Sequence, residues 1–285
     1  MNTPNYILTL RCRDTIGIVA AVSSALAASE AFIVVSSHFD DAGTGLFFMR
    51  TVFRATGQRF STLEDFRLAL APVVQRFEMQ MTLHDAAQRM RVMLAVSKHG
   101  HCLNHLLHRW HSDELPVEVV GVVSNHDDMR RLAEWYGLPH HHLPLHGDKP
   151  AQEARLLDVF ERSGAELLVL ARYMQVLSDD LCKRLEGRCI NIHHSFLPSF
   201  KGAKPYHQAH ERGVKVVGAT AHYVNAALDE GPIIEQETMR VDHTLSGDAF
   251  VRLGKDVENV VVARAMQWHT EHRVMLNGHR TVIFR

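Results

Sequence analysis

Three short apolar runs constrain this chain more than anything else in it. Val92-Met-Leu-Ala-Val96, Val117-Glu-Val-Val-Gly-Val-Val123 and Leu167-Leu-Val-Leu170 are almost continuously hydrophobic. A strand with one wet face alternates apolar and polar residues. A run without alternation suits a strand covered on both faces, as in a parallel sheet enclosed by helices. Helical segments fall between the runs, at about 101–111, 128–136, 151–163 and 178–184. The expected fold over residues 90–285 is therefore an open α/β sheet, mostly parallel, whose ligands belong in the crevice beyond the carboxyl ends of the strands. Neither GxGxxG nor GxxxxGK[ST] is present, so dinucleotide and nucleoside-triphosphate binding lose their main support.

Residues 1–85 carry a different rhythm. Tyr6-Ile-Leu-Thr-Leu-Arg11 alternates as a half-buried strand, and so does Glu78-Met-Gln-Met-Thr-Leu83. A helix is expected from about Gly17 to Ala28, with Ile18, Val19, Val22 and Leu26 at core spacing and Asp14 and Thr15 able to cap it. Strands Ile33–Phe39 and Leu46–Phe53 flank Asp40-Asp-Ala-Gly-Thr-Gly45, a hairpin turn, and a second helix runs from Thr62 to about Val74. The order is βαββαβ, an α+β arrangement with two helices on one face of an antiparallel sheet. Asp85–Arg89 reads as a polar linker to the second domain.

With 285 residues the chain is long enough for these two domains. Its formal net charge of −1 and the absence of a basic block give no reason to expect nucleic acid or an anionic membrane as partner. No apolar run approaches the roughly 20 residues of a membrane span, and the N-terminus has no signal-peptide core. Cys12, Cys102, Cys182 and Cys189 are too few and too irregular for a disulfide framework, so a reduced, cytoplasmic protein is expected. The 21 histidines raise the question of a metal. His101, His105 and His108 would share a helix face beside His99, Cys102 and His111. Without HExxH, CxxC or a carboxylate at ligand spacing, no metal site is assigned. His140–His142 reads as a short strand or loop.

The chemistry concentrates in Asn191-Ile-His-His-Ser-Phe-Leu-Pro198 and Leu228-Asp-Glu-Gly-Pro-Ile-Ile234. If Cys189–His194 is a strand, alternation puts Asn191 and His193 on one face and His194 on the other, with Pro198 ending the strand. Asp229 arrives on a loop bounded by Gly231-Pro232. Such a trio suits attack on a carbonyl carbon. The Asn191 amide can hold a developing oxyanion. His193 can donate to that oxygen or carry a proton to a leaving nitrogen, and Asp229 can orient a water and keep His193 charged. The same residues also have plain structural readings. Asn191 can satisfy strand-end backbone groups, and Asp229 can be a turn residue before Gly-Pro. Ser195 lacks a Gly-x-Ser-x-Gly elbow and Cys189 lies within the strand, so no covalent route stands out.

Taken together, Asn191–Pro198, Lys201-Gly-Ala-Lys-Pro-Tyr-His-Gln-Ala209, Gly218-Ala-Thr-Ala-His-Tyr-Val224 and Leu228–Gln236 resemble the formyltetrahydrofolate deformylases. Val96-Ser-Lys-His-Gly-His-Cys-Leu103 and Leu170-Ala-Arg-Tyr-Met-Gln-Val-Leu-Ser178 share the likeness. The resemblance implies a Rossmann-like formyltransferase domain. It also implies a catalytic trio at Asn191, His193 and Asp229, with folate contacts from Arg172, Tyr173, Met174, Val176, Leu177, Val224 and Gly231. It implies hydrolysis of 10-formyltetrahydrofolate without metal or organic cofactor, the formate serving one-carbon and purine metabolism. Residues 1–85 resemble an ACT domain through Asp14-x-x-Gly17-Ile-Val-Ala-Ala21 and Ser36-Ser-His-Phe-Asp40, which implies a regulatory module that builds homo-oligomers. Here Thr15-Ile16 stands where that family has Arg-Pro. Ala31-Phe32 stands where it has a small residue and Asn, near an effector cleft.

Three other readings share parts of this pattern. Glycinamide ribonucleotide transformylase needs the same trio but also a Gly-rich loop after the first strand, and here that loop is Ser97-Lys-His-Gly-His101 with a single glycine. Methionyl-tRNA formyltransferase needs a further C-terminal domain and a basic face, neither expected here. A folate-binding sensor without activity would not require all three of Asn191, His193 and Asp229.

Overall fold

The computed structural model describes residues 5–57, 60–145, 147–198 and 205–285. The chain forms two compact units. The first holds β1 (Asn5–Arg13), α1 (Ile18–Ala28), β2 (Ala31–Asp41), β3 (Leu46–Ala55), α2 (Leu63–Arg76) and β4 (Gln80–Asp85), the βαββαβ order read from the sequence. Its antiparallel sheet runs β2-β3-β1-β4. Leu8, Leu10, Phe47, Met49 and Phe53 meet Ile18, Val22, Leu26, Phe66 and Leu70 from the two helices in one core.

Local chemistry explains the element ends. Asp41 closes the β2–β3 turn by accepting from the Gly43 N–H and the Thr44 hydroxyl at 3.0 and 2.9 Å. Thr62 caps α2 in a reciprocal capping box with Asp65. Asp14 and Thr15, expected to cap α1, do not: Gly17 is the N-cap, in a left-handed conformation (φ 97°), and no side chain bonds the first turn. The last strand starts two residues later than Glu78, because Glu78 itself is left-handed (φ 49°) and Met79 N–H still bonds back to the Val74 carbonyl.

One boundary differs from the sequence reading. Glu271–Met275 and Val282–Arg285, expected in the second domain, belong to the first unit. Phe48 points away from the helices and is buried against Val282 and Phe284. The Arg50 guanidinium donates to the carbonyls of Glu271 and His272 at 2.9 and 3.1 Å. The second face of the sheet is thus covered by the chain's own C-terminal segment, which is why β3 is buried on both sides.

The second unit contains β5 (Met90–Val96), α3 (His101–His111), β6 (Val117–Ser124), α4 (Arg130–Trp135), β7 (His140–His142), α5 (Lys149–Arg162), β8 (Leu167–Leu170), α6 (Asp179–Arg184) and β9 (Cys189–His193). It continues through α7 (Pro205–Arg212), β10 (Val216–Tyr223), β11 (Ile233–Arg240) and α8 (Gly247–Thr270); β12 (Val274–Asn277) and β13 (Arg280–Ile283) form a final hairpin. The seven-stranded sheet runs β11-β10-β9-β8-β5-β6-β7. β9, β8, β5, β6 and β7 are parallel, whereas β10 and β11 are antiparallel. The three apolar runs are the central strands, and Val92–Val96 and Leu167–Leu170 are buried throughout. Among the described residues no helix is long and apolar enough to cross a membrane.

Phe284→Ala should speed amide hydrogen exchange in β3 while leaving β5 protected as before. Equal protection in β3, measured by mass spectrometry, would mean that the C-terminal segment does not hold the first sheet.

Candidate active site

β9 lies where the sheet changes from parallel to antiparallel pairing, between β8 on one side and β10 on the other. In its register with β10, Asn191 stands opposite His222 and His193 opposite Thr220. The strand ends at His193, one residue short of the expected His194 and well before Pro198. Its continuation is shaped by Thr220 rather than by the proline. The Thr220 hydroxyl donates to the Ser195 carbonyl and accepts from the Leu197 N–H, both at 3.0 Å. Gln236 braces the same bend, donating to the Leu197 carbonyl and to the Thr220 hydroxyl. With the strand ended, alternation no longer governs His194. That ring, expected to point away, also lines the cavity.

A cavity of about 260 Å³ opens beside these residues. Asn191 and His193 face it, as alternation requires, together with Asp229 and with Arg172, Tyr173, Met174, Val176, Leu177 and Val224. Met174 and Val176 are half exposed at its rim, and Tyr173 is buried. Gly231 is the exception among the expected contacts and is not part of the wall. A Cβ there would lie 1.7 Å from the Tyr223 carbonyl oxygen and 3.2 Å from His222 Nδ1, so the position needs glycine for close backbone approach.

The polar centre is compact. Asp229 Oδ2 lies 3.2 Å from His193 Nδ1, and Asp229 Oδ1 lies 3.7 Å from His222 Nε2. Asn191 Nδ2 is 3.2 Å from the same His222 nitrogen. His193 is buried, and its Nε2 has no protein partner. Burial alone would raise the Asp229 proton affinity, but above all its hydrogen bond with His193 outweighs that and holds the carboxyl well below the usual range. Asp229 is also left-handed (φ 58°), a conformation costing a non-glycine residue about 1–3 kcal/mol. Its loop is pinned by the Glu230 N–H to the Ala227 carbonyl and the Tyr223 N–H to the Pro232 carbonyl. His222 is the site residue that the sequence reading did not assign. Its only signal there was its place inside Gly218–Val224, and the antiparallel register with Asn191 is what reveals it.

Behind the cavity wall lies a buried ionic group. Glu258 of α8, 1% exposed, accepts from His101 Nε2 at 2.8 Å and from the Tyr206 hydroxyl at 3.0 Å, and lies 3.5 Å from Arg172 Nε. Burial opposes its charge, yet His101 and Arg172 keep its proton affinity below the ordinary carboxylate range. Burial first, then Arg172, pulls His194 down to about 3, so that ring is neutral. His101, Cys102 and Glu258 offer donor atoms within 4.8 Å of one another, a different set from the His101, His105 and His108 face weighed above. The carboxylate is already committed to two hydrogen-bond donors and a guanidinium. The segment 201–204, part of the resemblance, lies outside the described residues.

Residues 90–266, which contain every cavity residue, match the family model of the formyl transferases. A formyltetrahydrofolate deformylase of Corynebacterium sp. (strain P-1) is 52% identical over 281 residues, covering 98% of each chain. The crystal structure of a formyltetrahydrofolate deformylase from Burkholderia mallei superposes with a TM-score of 0.94 at 51% identity, covering 99% of this chain and all of that one. The chain belongs to the formyltetrahydrofolate deformylase family. A glycinamide ribonucleotide transformylase structure from Symbiobacterium toebii covers 69% of this chain and 95% of its own at 29% identity, with a TM-score of 0.66. The likeness to the family therefore spans both units, whereas that to the transformylase spans about two thirds of the chain.

Gly231→Ala should destabilise the protein by about 1–3 kcal/mol in chemical denaturation, the scale of overpacking against fixed backbone. An unchanged midpoint would show that the 229–232 loop yields freely.

Proposed function

We propose that this chain hydrolyses 10-formyltetrahydrofolate to tetrahydrofolate and formate, with Asn191, His193 and Asp229 as its catalytic residues. The observation that carries the reading is their convergence on one cavity, with Asp229 hydrogen-bonded to His193 and His193 Nε2 left without a protein partner. The pterin would lie between the 170–177 segment and the 224–229 loop, with the formyl group between Asn191 and His193.

Water held by Asp229 adds to the formyl carbon. The oxygen that becomes negative accepts from the Asn191 amide and from charged His193, and His193 then gives its proton to N10 as the C–N10 bond breaks. Loss of that positive charge removes one of the influences that depress Asp229, so the carboxylate becomes a better acceptor as the adduct must shed its proton. Tetrahydrofolate and formate leave, with one proton returned to solvent. Every step is assigned to side chains of this chain, and none calls for a metal or organic cofactor. The formate would serve one-carbon and purine metabolism.

The loop after β5 supports water over an amine as the acceptor. The Ser97 hydroxyl is held by Asn125 and by the Met174 N–H, and His101 is tied to Glu258. A Cβ on Gly100 would meet Met129 Sδ at 2.3 Å. With its side chains committed in this way and a single glycine, the loop lacks the Gly-rich cradle that a substrate phosphate would need.

The first unit is read as an ACT-like module that pairs copies of the chain, supported by its βαββαβ order and by its edge strand β2. There Phe32, Val34, Val35 and Phe39 are all about half exposed on a strand with one free side. Phe32, at the position of the effector-cleft Asn, lies under the Arg54 guanidinium at 4.6 Å. Four unpaired cysteines, all buried, support a reducing cytoplasmic setting. Nucleic acid and membrane have no part in the reading.

Formate should appear from 10-formyltetrahydrofolate alone. Asp229→Asn should lower kcat far more than it weakens folate binding, because it removes a proton acceptor rather than a contact. Turnover only when glycinamide ribonucleotide is added would make the enzyme a transferase, and near-full turnover of the variant would remove Asp229 from the chemistry. Light scattering at micromolar concentration should give at least a dimer; a monomer would end the assembly reading.

A further inference from the structure

We propose that His222 is a positioning residue that fixes which way the Asn191 amide faces, and so sets the oxyanion-binding geometry. The inference rests on the hydrolytic reading above. It starts from one ring and its neighbours. His222 is 3% exposed on β10, directly opposite Asn191 on β9. Its Nδ1 lies 2.9 Å from the Tyr223 carbonyl oxygen, and its Nε2 lies 3.2 Å from Asn191 Nδ2.

The chemistry of those partners fixes the proton. A carbonyl oxygen only accepts, so Nδ1 carries the hydrogen. The amide NH₂ only donates, so Nε2 is bare and accepts from it. His222 is therefore the neutral Nδ1–H tautomer. Asp229 Oδ1, 3.7 Å from the same nitrogen, lies beyond hydrogen-bond reach. The two imidazoles flanking Asp229 have different duties. His193 donates its Nδ1–H to the carboxylate at 3.2 Å, while His222 spends its proton on the backbone.

The consequence falls on Asn191. An amide's oxygen and nitrogen ends are nearly the same size, and a half-turn about the last side-chain bond exchanges them. One orientation presents an N–H to the formyl oxygen, and the other presents a carbonyl that would repel it. With Nε2 of His222 accepting one amide hydrogen, Nδ2 is held on that side and its second hydrogen remains for the substrate. The backbone is built to keep the ring there. The β10–β11 pairing slips between Ala221 and His222, a bulge of the kind that re-aims a side chain. The Tyr223 carbonyl that receives the Nδ1 proton is the atom against which Gly231 packs, leaving no space for a Cβ.

Four enzymes and one spectrum test this. His222→Leu fills the space without an acceptor, and His222→Gln restores an acceptor oxygen near the Nε2 position. Both are assayed for formate release from 10-formyltetrahydrofolate, beside Asn191→Ala and the Asn191→Ala/His222→Leu pair. His222→Leu should lose about 10- to 100-fold in kcat, up to the scale of one oxyanion donor, with KM within about threefold. His222→Gln should recover most of that loss. In the Asn191→Ala background His222→Leu should cost little more, because its target is gone. Equal further loss in that background, or a Gln variant as slow as the Leu one, would overturn the proposal.

The spectrum is the ¹⁵N signature of the His222 ring in the wild-type protein. It should show Nδ1 protonated and Nε2 bare, with the Nε2 signal moving in Asn191→Ala. An Nε2–H tautomer or a charged ring would overturn the proposal without any assay. A wild-type protein that releases no formate but has the expected tautomer would instead sink the hydrolytic reading and leave the Asn191–His222 pairing standing.

Discussion

The site depends on one partly buried carboxylate. Asp229 enters from a loop, not from a strand, and reaches its place between His193 and His222 only in a left-handed backbone conformation. That strain, about 1–3 kcal/mol, must be offset by what the carboxylate gains there. It gains a hydrogen bond from His193, enough to keep its proton off despite partial burial. The loop cannot relax, because Gly231 is already against the Tyr223 carbonyl and the Tyr223 N–H is bonded to Pro232. A charge held this firmly beside an imidazole is an arrangement for proton transfer; a folate-binding wall alone would not need it.

Much of this was legible in the sequence, and the reasons differ by residue. The apolar runs reported burial on both faces, and they are the central parallel strands. Asn191 and His193 were placed on one side of β9 because a period of two survives whatever packs around a strand. The limits lie where structure depends on pairing between distant segments. His222 owes its role to the β9–β10 register and to a bulge, neither of which leaves a local pattern. Gly231 was expected as a folate contact through the family resemblance, but its glycine answers to a carbonyl eight residues earlier. Phe284 and Val282 gave no sign that they would cross back to cover the first sheet, since an apolar residue records that it is buried and not against what. The capping role expected of Asp14 failed for a related reason. Gly17 takes the N-cap position itself, so the acid three residues earlier is outside the turn it was to close.

The buried group at Glu258 bears on how the cavity wall is held. A carboxylate with 1% exposure is tolerable only when its partners are all in place, since an unpaired buried charge costs several kcal/mol. Its partners come from three separate segments: His101 at the start of α3, Tyr206 on α7 and Arg172 in the loop after β8. Gly254 on α8 is what admits the Tyr206 ring, whose atoms would lie about 2 Å from any Cβ there. The result is a packed ionic cluster that reaches the cavity through Arg172. Arg172 is thus held at the cavity wall by Glu258, a residue that does not itself line the cavity.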